Sequence, residues 1–297
     1  MARTFPIGYS RGFIAQAPAP KTGMTATPTG YQESNEWLNG GISVIESGAK
    51  HLTYTMNFSG DGSLPAGVDV FRQLASKLYG NGNIYFSDPM EYDTNLLPPP
   101  WATPHLAEHG WKDPFVGTGV FSNLTPTATV PYRRQMTYTL TNTTTVQPTH
   151  PSKNTVILIP PTHKLMLGFK GTATLTGKIR VQPILIGGAL APTVDLTLLS
   201  KTDNVLMNTT FDGATYQAVE IFALATTPND GSTLNIVAGT ARLYPRLSSP
   251  VLTGVHVSGH GNTGCRFADN AIPETYVMVR GHYKQLSTNL VEVGAWD

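Results

Sequence analysis

The sequence predicts a mainly β protein: a β-sandwich module with one short helix, then a jelly-roll β-sandwich, then a short C-terminal β segment. Three observations carry that expectation. Short runs rich in Val, Ile, Thr and Tyr alternate apolar and polar residues, the pattern of strands with one face on a core. The 29 glycines and 23 prolines are spread along all 297 residues and punctuate those runs as turns would. Only one stretch carries helical periodicity.

The first strong alternation is His51 to Phe58, where Leu52, Tyr54, Met56 and Phe58 share one face. The helix follows, predicted over 66–79. Val68, Phe71, Leu74, Ala75 and Leu78 recur there at spacings of three or four, Pro65 suits its first turn, and Gly80 suits a left-handed C-terminal cap. Such a short amphipathic helix should lie on a sheet. Further strands are predicted in Met136–Thr141, Leu165–Lys170, Thr172–Gly177, Tyr216–Ala225 and Thr233–Leu243. No internal repeat with a fixed period is present.

The run Leu96 to Pro104, with three consecutive prolines, reads as a stiff extended boundary. It divides the chain into residues 1–98, carrying the helix, and residues 99–245, the jelly roll. Residues 246–297 form either a third small lobe or strands returning to the first module.

Composition narrows the function classes. Hydrophobic residues make up 40%, enough for a packed core. Charged residues are only 13%, against roughly 25% in typical globular chains, so Thr, Ser, Asn, Gln and Gly cover much of the surface. That palette suits contact with neighbouring proteins or neutral ligands. A net charge of +1 and the absence of any dense Lys/Arg block exclude a nucleic-acid binder by charge; Arg133-Arg134 is the only adjacent basic pair. No apolar run reaches the roughly 18 residues of a membrane-spanning helix. The first residues lack the apolar region of a secretory leader, and the single cysteine, Cys265, excludes an intrachain disulfide framework. Synthesis in a reducing cytoplasm is the expectation.

No catalytic residue, metal or cofactor is predicted. His105-Leu-Ala-Glu108-His109 matches a His-x-x-Glu-His zinc-protease pattern. That chemistry needs a helix long enough to put both histidines on one face. Pro104, Gly110 and Pro114 leave too little room, so the motif reads as a turn. His256, His260 and Cys265 lack the second close pair of a zinc site, and Cys265 reads as a buried thiol. Ser258-Gly-His-Gly is no nucleophile elbow, and the glycines from 254 to 264 lack the Lys-Ser/Thr of a phosphate loop. A glycosidase needs two carboxyls roughly 5–10 Å apart across a cleft. Asp88, Glu91, Asp93, Asp195, Asp203 and Asp212 instead stand mostly in turn contexts.

Aromatic rings are the remaining candidates, since a pyranose stacks its apolar face on them. Phe115, Phe121, Tyr216, Phe222 and Tyr244 lie in strand patterns and read as core. Trp101, Trp111 and Tyr132 are the candidate glycan or interface contacts.

Two blocks carry a family resemblance. Leu78-Tyr-Gly-Asn-Gly-Asn-Ile-Tyr-Phe-Ser-Asp-Pro-Met-Glu-Tyr-Asp-Thr-Asn-Leu-Leu-Pro-Pro-Pro-Trp-Ala-Thr-Pro104 is the first. Ser258-Gly-His-Gly-Asn-Thr-Gly-Cys-Arg-Phe267, with Leu290-Val-Glu-Val-Gly-Ala-Trp296, is the second. Both resemble minor tail proteins of siphophages infecting actinobacteria, of the distal-tail type. The resemblance covers about a third of the chain, at its two ends.

The resemblance implies a virion component at the tail tip, between tail tube and host-facing proteins. Residues 1–98 would be the ring-forming module, closing with copies of itself into a hexamer. Residues 99–245 would be a peripheral galectin-like or carbohydrate-module-like domain. The implied partners are the tail tube protein, the tape-measure and tail-tip proteins, and host cell-wall glycan. Two other functions fit less well: a host cell-wall carbohydrate-binding protein without a ring role, and a cell-wall hydrolase.

Overall fold

The computed structural model describes residues 4–10, 13–20, 23–36, 42–61, 68–78, 84–87, 92, 94–97, 99–102, 119–123, 125–127, 134–140, 156–200, 207–225, 231–252, 263–268, 274–278 and 282–292. The protein is mainly β, as expected. It divides into two units: residues 1–9, 15–85 and 264–297 form the first, and residues 10–14 and 86–263 the second.

The first unit is built on an eight-stranded sheet. Its strands are β1 (Thr4–Ser10), β2 (Phe13–Pro18), β3 (Met24–Glu36), β4 (Ile42–Asp61), β5 (Ile84–Phe86), β16 (Thr263–Phe267), β17 (Glu274–Met278) and β18 (His282–Glu292). The order is β2-β1-β5-β16-β18-β4-β3, with β17 also pairing with β18. Residues from 264 onward therefore fold with the N-terminal strands rather than as a lobe of their own. β18 runs antiparallel to β4, with Leu286 opposite Phe58 and Leu290 opposite Tyr54. The period-2 pattern read at 51–58 is the buried face: Tyr54, Met56 and Phe58 are wholly buried and Leu52 is half-buried.

Helix α1 spans Asp69–Ala75, shorter than the 66–79 expected. Val68, Val70, Phe71 and Leu74 are buried, and the Phe71 ring packs on Phe58 (5.0 Å between centroids) and Phe5 (6.4 Å). Gly80, the expected cap, lies outside the described residues. The helix has already closed at Lys77, which adopts φ 57°. The Lys77 N–H donates to the Leu74 carbonyl (3.1 Å) and the Leu78 N–H to the Gln73 carbonyl (3.2 Å), a Schellman cap. The chain turns away there, so Leu78 is 66% exposed rather than on the buried face. A side chain in the left-handed region costs about 1 kcal/mol. Lys77→Gly should therefore raise stability by about 1 kcal/mol, read as a shift of the urea midpoint at unchanged m-value.

The second unit is a two-sheet sandwich. The six-stranded sheet contains β6 (Gly119–Asn123), β7 (Arg134–Thr139), β9 (His163–Ala173), β12 (Leu199–Ser200), β13 (Met207–Asp212) and β15 (Thr233–Pro245). Its order is β12-β9-β15-β7-β6, and β13 pairs with β9. The four-stranded sheet, β11-β10-β14-β8, contains β8 (Val156–Leu158), β10 (Gly177–Leu185), β11 (Val194–Leu196) and β14 (Tyr216–Ala225). From β8 to β15 the chain repeatedly crosses between the sheets, as in a jelly roll. Ile179, Val181, Val219 and Ile221 of one sheet meet Leu165, Leu167, Phe169 and Ile236 of the other in a single core.

Two expectations fail here. The alternation in Thr172–Gly177 is not one strand: β9 ends at Ala173, and Leu175, at φ 50° and 74% exposed, is in the turn before β10. The proline run is not a boundary. Helix α2 (Pro99–Ala102) buries Trp101 and Ala102 in the sandwich core beside Leu96 and Leu97. The second unit thus begins near Phe86 and extends past Pro245 to Thr263.

Asn95 explains how that segment docks. Among the described residues, β7 pairs with β15 at residues 233–236 and not further along β15. The chain at 95–97 bonds to β15 beyond that point. The Leu96 N–H donates to the Ala241 carbonyl (2.8 Å), and the Asn95 amide donates to the Gly239 carbonyl (2.8 Å). The Asn95 Oδ1 accepts from the N–H groups of Ala241 (2.9 Å) and Leu97 (3.2 Å).

Candidate binding face of the sandwich

Of the three aromatic candidates from sequence, Trp101 alone lies among the described residues. Trp101 is wholly buried: its Nε1–H donates to the Tyr138 hydroxyl (2.6 Å), and its ring meets Phe169 edge-on at 5.7 Å. It offers no surface to a glycan. Trp111 and Tyr132 lie outside the described residues, as do His105, Glu108, His109, His256 and His260. Cys265 is buried and forms no disulfide, matching the thiol reading. Among the described residues, no three His, Cys, Asp or Glu side chains gather as a metal site, and no helix is long and apolar enough to cross a membrane.

A different constellation emerges on the outer face of the six-stranded sheet. Along β15, Ala241 and Leu243 point into the core, so Arg242 and Tyr244 point outward. The register puts Tyr244 opposite Lys164 of β9, and Lys164 opposite Asp212 of β13. One rung inward, Arg242 faces Met166, which faces Thr210. Arg246 follows β15 in a turn anchored by its N–H to the Thr162 carbonyl (2.9 Å). Strands far apart in sequence thus gather Lys164, Asp212, Arg242, Tyr244 and Arg246 at one end of the sheet.

Burial grades along this face. Lys170 and Thr240, in its middle, are 1% exposed; Arg242, Tyr244 and Lys164 are half-buried; Asp212 and Arg246 are exposed. The open end is therefore the accessible part. There the Arg242 guanidinium sits 5.4 Å from the Tyr244 ring centroid, a cation–π contact. The Lys164 ammonium donates to the Ser248 carbonyl. Asp212 accepts the Ala214 N–H (2.8 Å), an Asx turn, and lies 3.9 Å from the Arg246 Nε. A phenol face bordered by three cations and one carboxylate can stack a sugar or polyol and pair with an anion.

Sequence reading classed Tyr244 as core. The missed signal is the alternation Ala241-Arg-Leu-Tyr-Pro-Arg246, which sends Tyr244 to the face opposite Leu243. The gathering of Lys164 and Asp212 beside it follows from sheet register, which the sequence does not state.

The four-stranded sheet carries a second charged group. The Asp195 carboxylate takes a two-pronged hydrogen bond from Arg180 (2.7 and 3.0 Å) and faces the Lys178 ammonium at 2.5 Å. Arg180 lowers the Asp195 pKa to about 2, chiefly through this hydrogen bond, and is itself raised by it. The lowered pKa fixes the sign: the pair contributes stability above the ordinary carboxylate value of 3.8 and loses it as pH falls toward 2. Because all three side chains are partly exposed, the contribution is about 1 kcal/mol. Asp195→Asn should lower stability by that amount at neutral pH and match the parent protein below pH ~2, checked by urea unfolding across pH.

No family model matches the chain, and no curated protein matches it. Solved structures overlap it loosely. The enzymatically active domain of bacteriophage CBA120 tailspike protein 4 aligns at a TM-score of 0.31 and 14% identity, over 50% of this chain and 21% of that one. The infectious bursal virus protein of T=1 particles aligns at 0.26 and 12%, over 98% of this chain and 74% of that one. A carbohydrate-binding module of the β-sandwich superfamily aligns at 0.25 and 10%, over 81% and 85%. Overlaps this loose carry no residue and no activity across to this chain.

Proposed function

We propose that the protein is a non-enzymatic structural component of a phage tail tip, a hub that assembles with copies of itself. In this reading it links the tail tube to tip proteins, and its sandwich unit contacts partners or host cell-wall glycan. The observation that carries it is the Leu78–Pro104 block, with its resemblance to distal-tail-type minor tail proteins. The two-unit organisation supports it: a helix-bearing sheet unit suited to assembly and a separate sandwich suited to outward contact. The low charge supports it too, because a ring of one chain needs unlike surface patches that meet without large desolvation costs. Light scattering of the full chain at high concentration tests the ring, with a six-fold mass expected; a strict monomer contradicts it.

The basic and aromatic face favours a second reading, a host cell-wall carbohydrate-binding protein without a ring role. That reading expects wall binding by a monomer. The hydrolase reading rests on the His105-x-x-Glu108-His109 pattern alone. Incubating the protein with purified host cell walls should release no soluble fragments; release abolished by Glu108→Gln would make it an enzyme.

A further inference from the structure

We propose that the open end of the six-stranded sheet takes a phosphodiester-bearing polymer rather than a neutral glycan. The inference rests on the reading of the sandwich as a contact unit and names its ligand class. A site for a neutral sugar is expected to offer carboxylates and amides as acceptors and donors for hydroxyls. Among the described residues this face offers a single carboxylate, Asp212, which accepts the Ala214 N–H. Three cations outnumber it.

Arg246 and Lys164 keep hydrogen-bond donors for a ligand. Arg246 stands 3.9 Å from Asp212, beyond hydrogen-bond distance, and its guanidinium makes no hydrogen bond among the described residues. Its planar fork matches two phosphate oxygens. The Lys164 ammonium gives one donor to the Ser248 carbonyl and keeps two. Arg242 is stacked on Tyr244, which fixes the ring between the cations. Exposed Leu247, next to Arg246, adds apolar surface for the carbons between phosphates. The spacing of cations about an apolar ring suits a repeating polyol phosphate, and assembled copies would multiply weak contacts through avidity.

The test uses the full-length chain and three probes: glycerol-phosphate polymer, a neutral N-acetylglucosamine oligomer, and phosphatidylglycerol vesicles. The expected result is binding to the polymer and not to the neutral oligomer, weakened at least about tenfold by raising salt from about 50 to about 300 mM. Arg246→Glu, in an exposed turn, should weaken it by about tenfold or more at unchanged melting temperature. Tyr244→Ala should weaken it with an unchanged salt slope. Vesicle binding without polymer binding supports the phosphate chemistry and assigns it to a lipid headgroup. Salt-independent binding of the neutral oligomer, untouched by Arg246→Glu, overturns the ligand class and leaves the contact reading standing. Binding to none of the three, with no affinity for purified host walls, overturns both.

Discussion

Trp101→Ala should destabilise the sandwich unit by about 3–5 kcal/mol, since Trp101 is the largest wholly buried side chain among the described residues. The indole is wholly buried between the sheets and touches both Tyr138 and Phe169. Its removal opens a cavity that the close-packed neighbours cannot fill. It also removes the hydrogen bond from the indole N–H to the Tyr138 hydroxyl, a further loss of about 0.5–1.5 kcal/mol. Trp101→Phe separates the two contributions, because it keeps much of the volume and loses the hydrogen bond. Gly239 reports the same packing from the other side: a Cβ there would lie 2.6 Å from the Trp101 carbonyl oxygen and 2.8 Å from the Phe169 ring. Urea unfolding followed by tryptophan fluorescence measures the loss. A change below about 1 kcal/mol would remove Trp101 from the core.

Asn95→Ala should cost about 2–4 kcal/mol through a different mechanism. Here little volume is lost. The substitution strands the Gly239 carbonyl and the Ala241 and Leu97 N–H groups in an interior that the Asn95 amide now satisfies. Hydrogen exchange localises the effect: the Ala241 and Leu97 amides should lose protection first, while the β9–β13 ladder keeps it. Uniform loss across the sandwich would instead make Asn95 a general packing residue. The pair of variants tests whether residues 95–102 are part of the sandwich rather than a tether leading into it.

The role of that segment is not legible in the sequence. Strands at 51–58, 165–170, 216–225 and 233–243 were legible because apolar side chains alternate against a buried face. Pro98-Pro-Pro100 signals only that no sheet ladder can continue there. It cannot say that Trp101, just beyond, drops between two sheets. Leu175 illustrates the converse problem. Thr-Ala-Thr-Leu-Thr alternates perfectly across a turn, and nothing local announces a leucine with positive φ. Helix α1 is shorter than its periodicity suggests, because the apolar spacing continues through Leu78 after Lys77 has ended the helix.

The candidate face was half legible. Arg242 and Tyr244 could be assigned to the outward side from Leu243 alone. Their meeting with Lys164 and Asp212 depends on pairings between β9, β13 and β15, where the Ile236/Ala238 bulge shifts the β15 register against β9. A one-residue slip would send each of these side chains to the core. Such non-local register is set by the whole sandwich and leaves no mark in any short window of sequence.

The tail-tip role is tested most directly by labelling intact particles with a gold-conjugated antibody raised against this chain and imaging them by electron microscopy. Label should be confined to the distal end of the tail, and the chain should be found among the proteins of purified virions. Label on the capsid, along the whole tail, or absent from purified particles that lack the chain would contradict it.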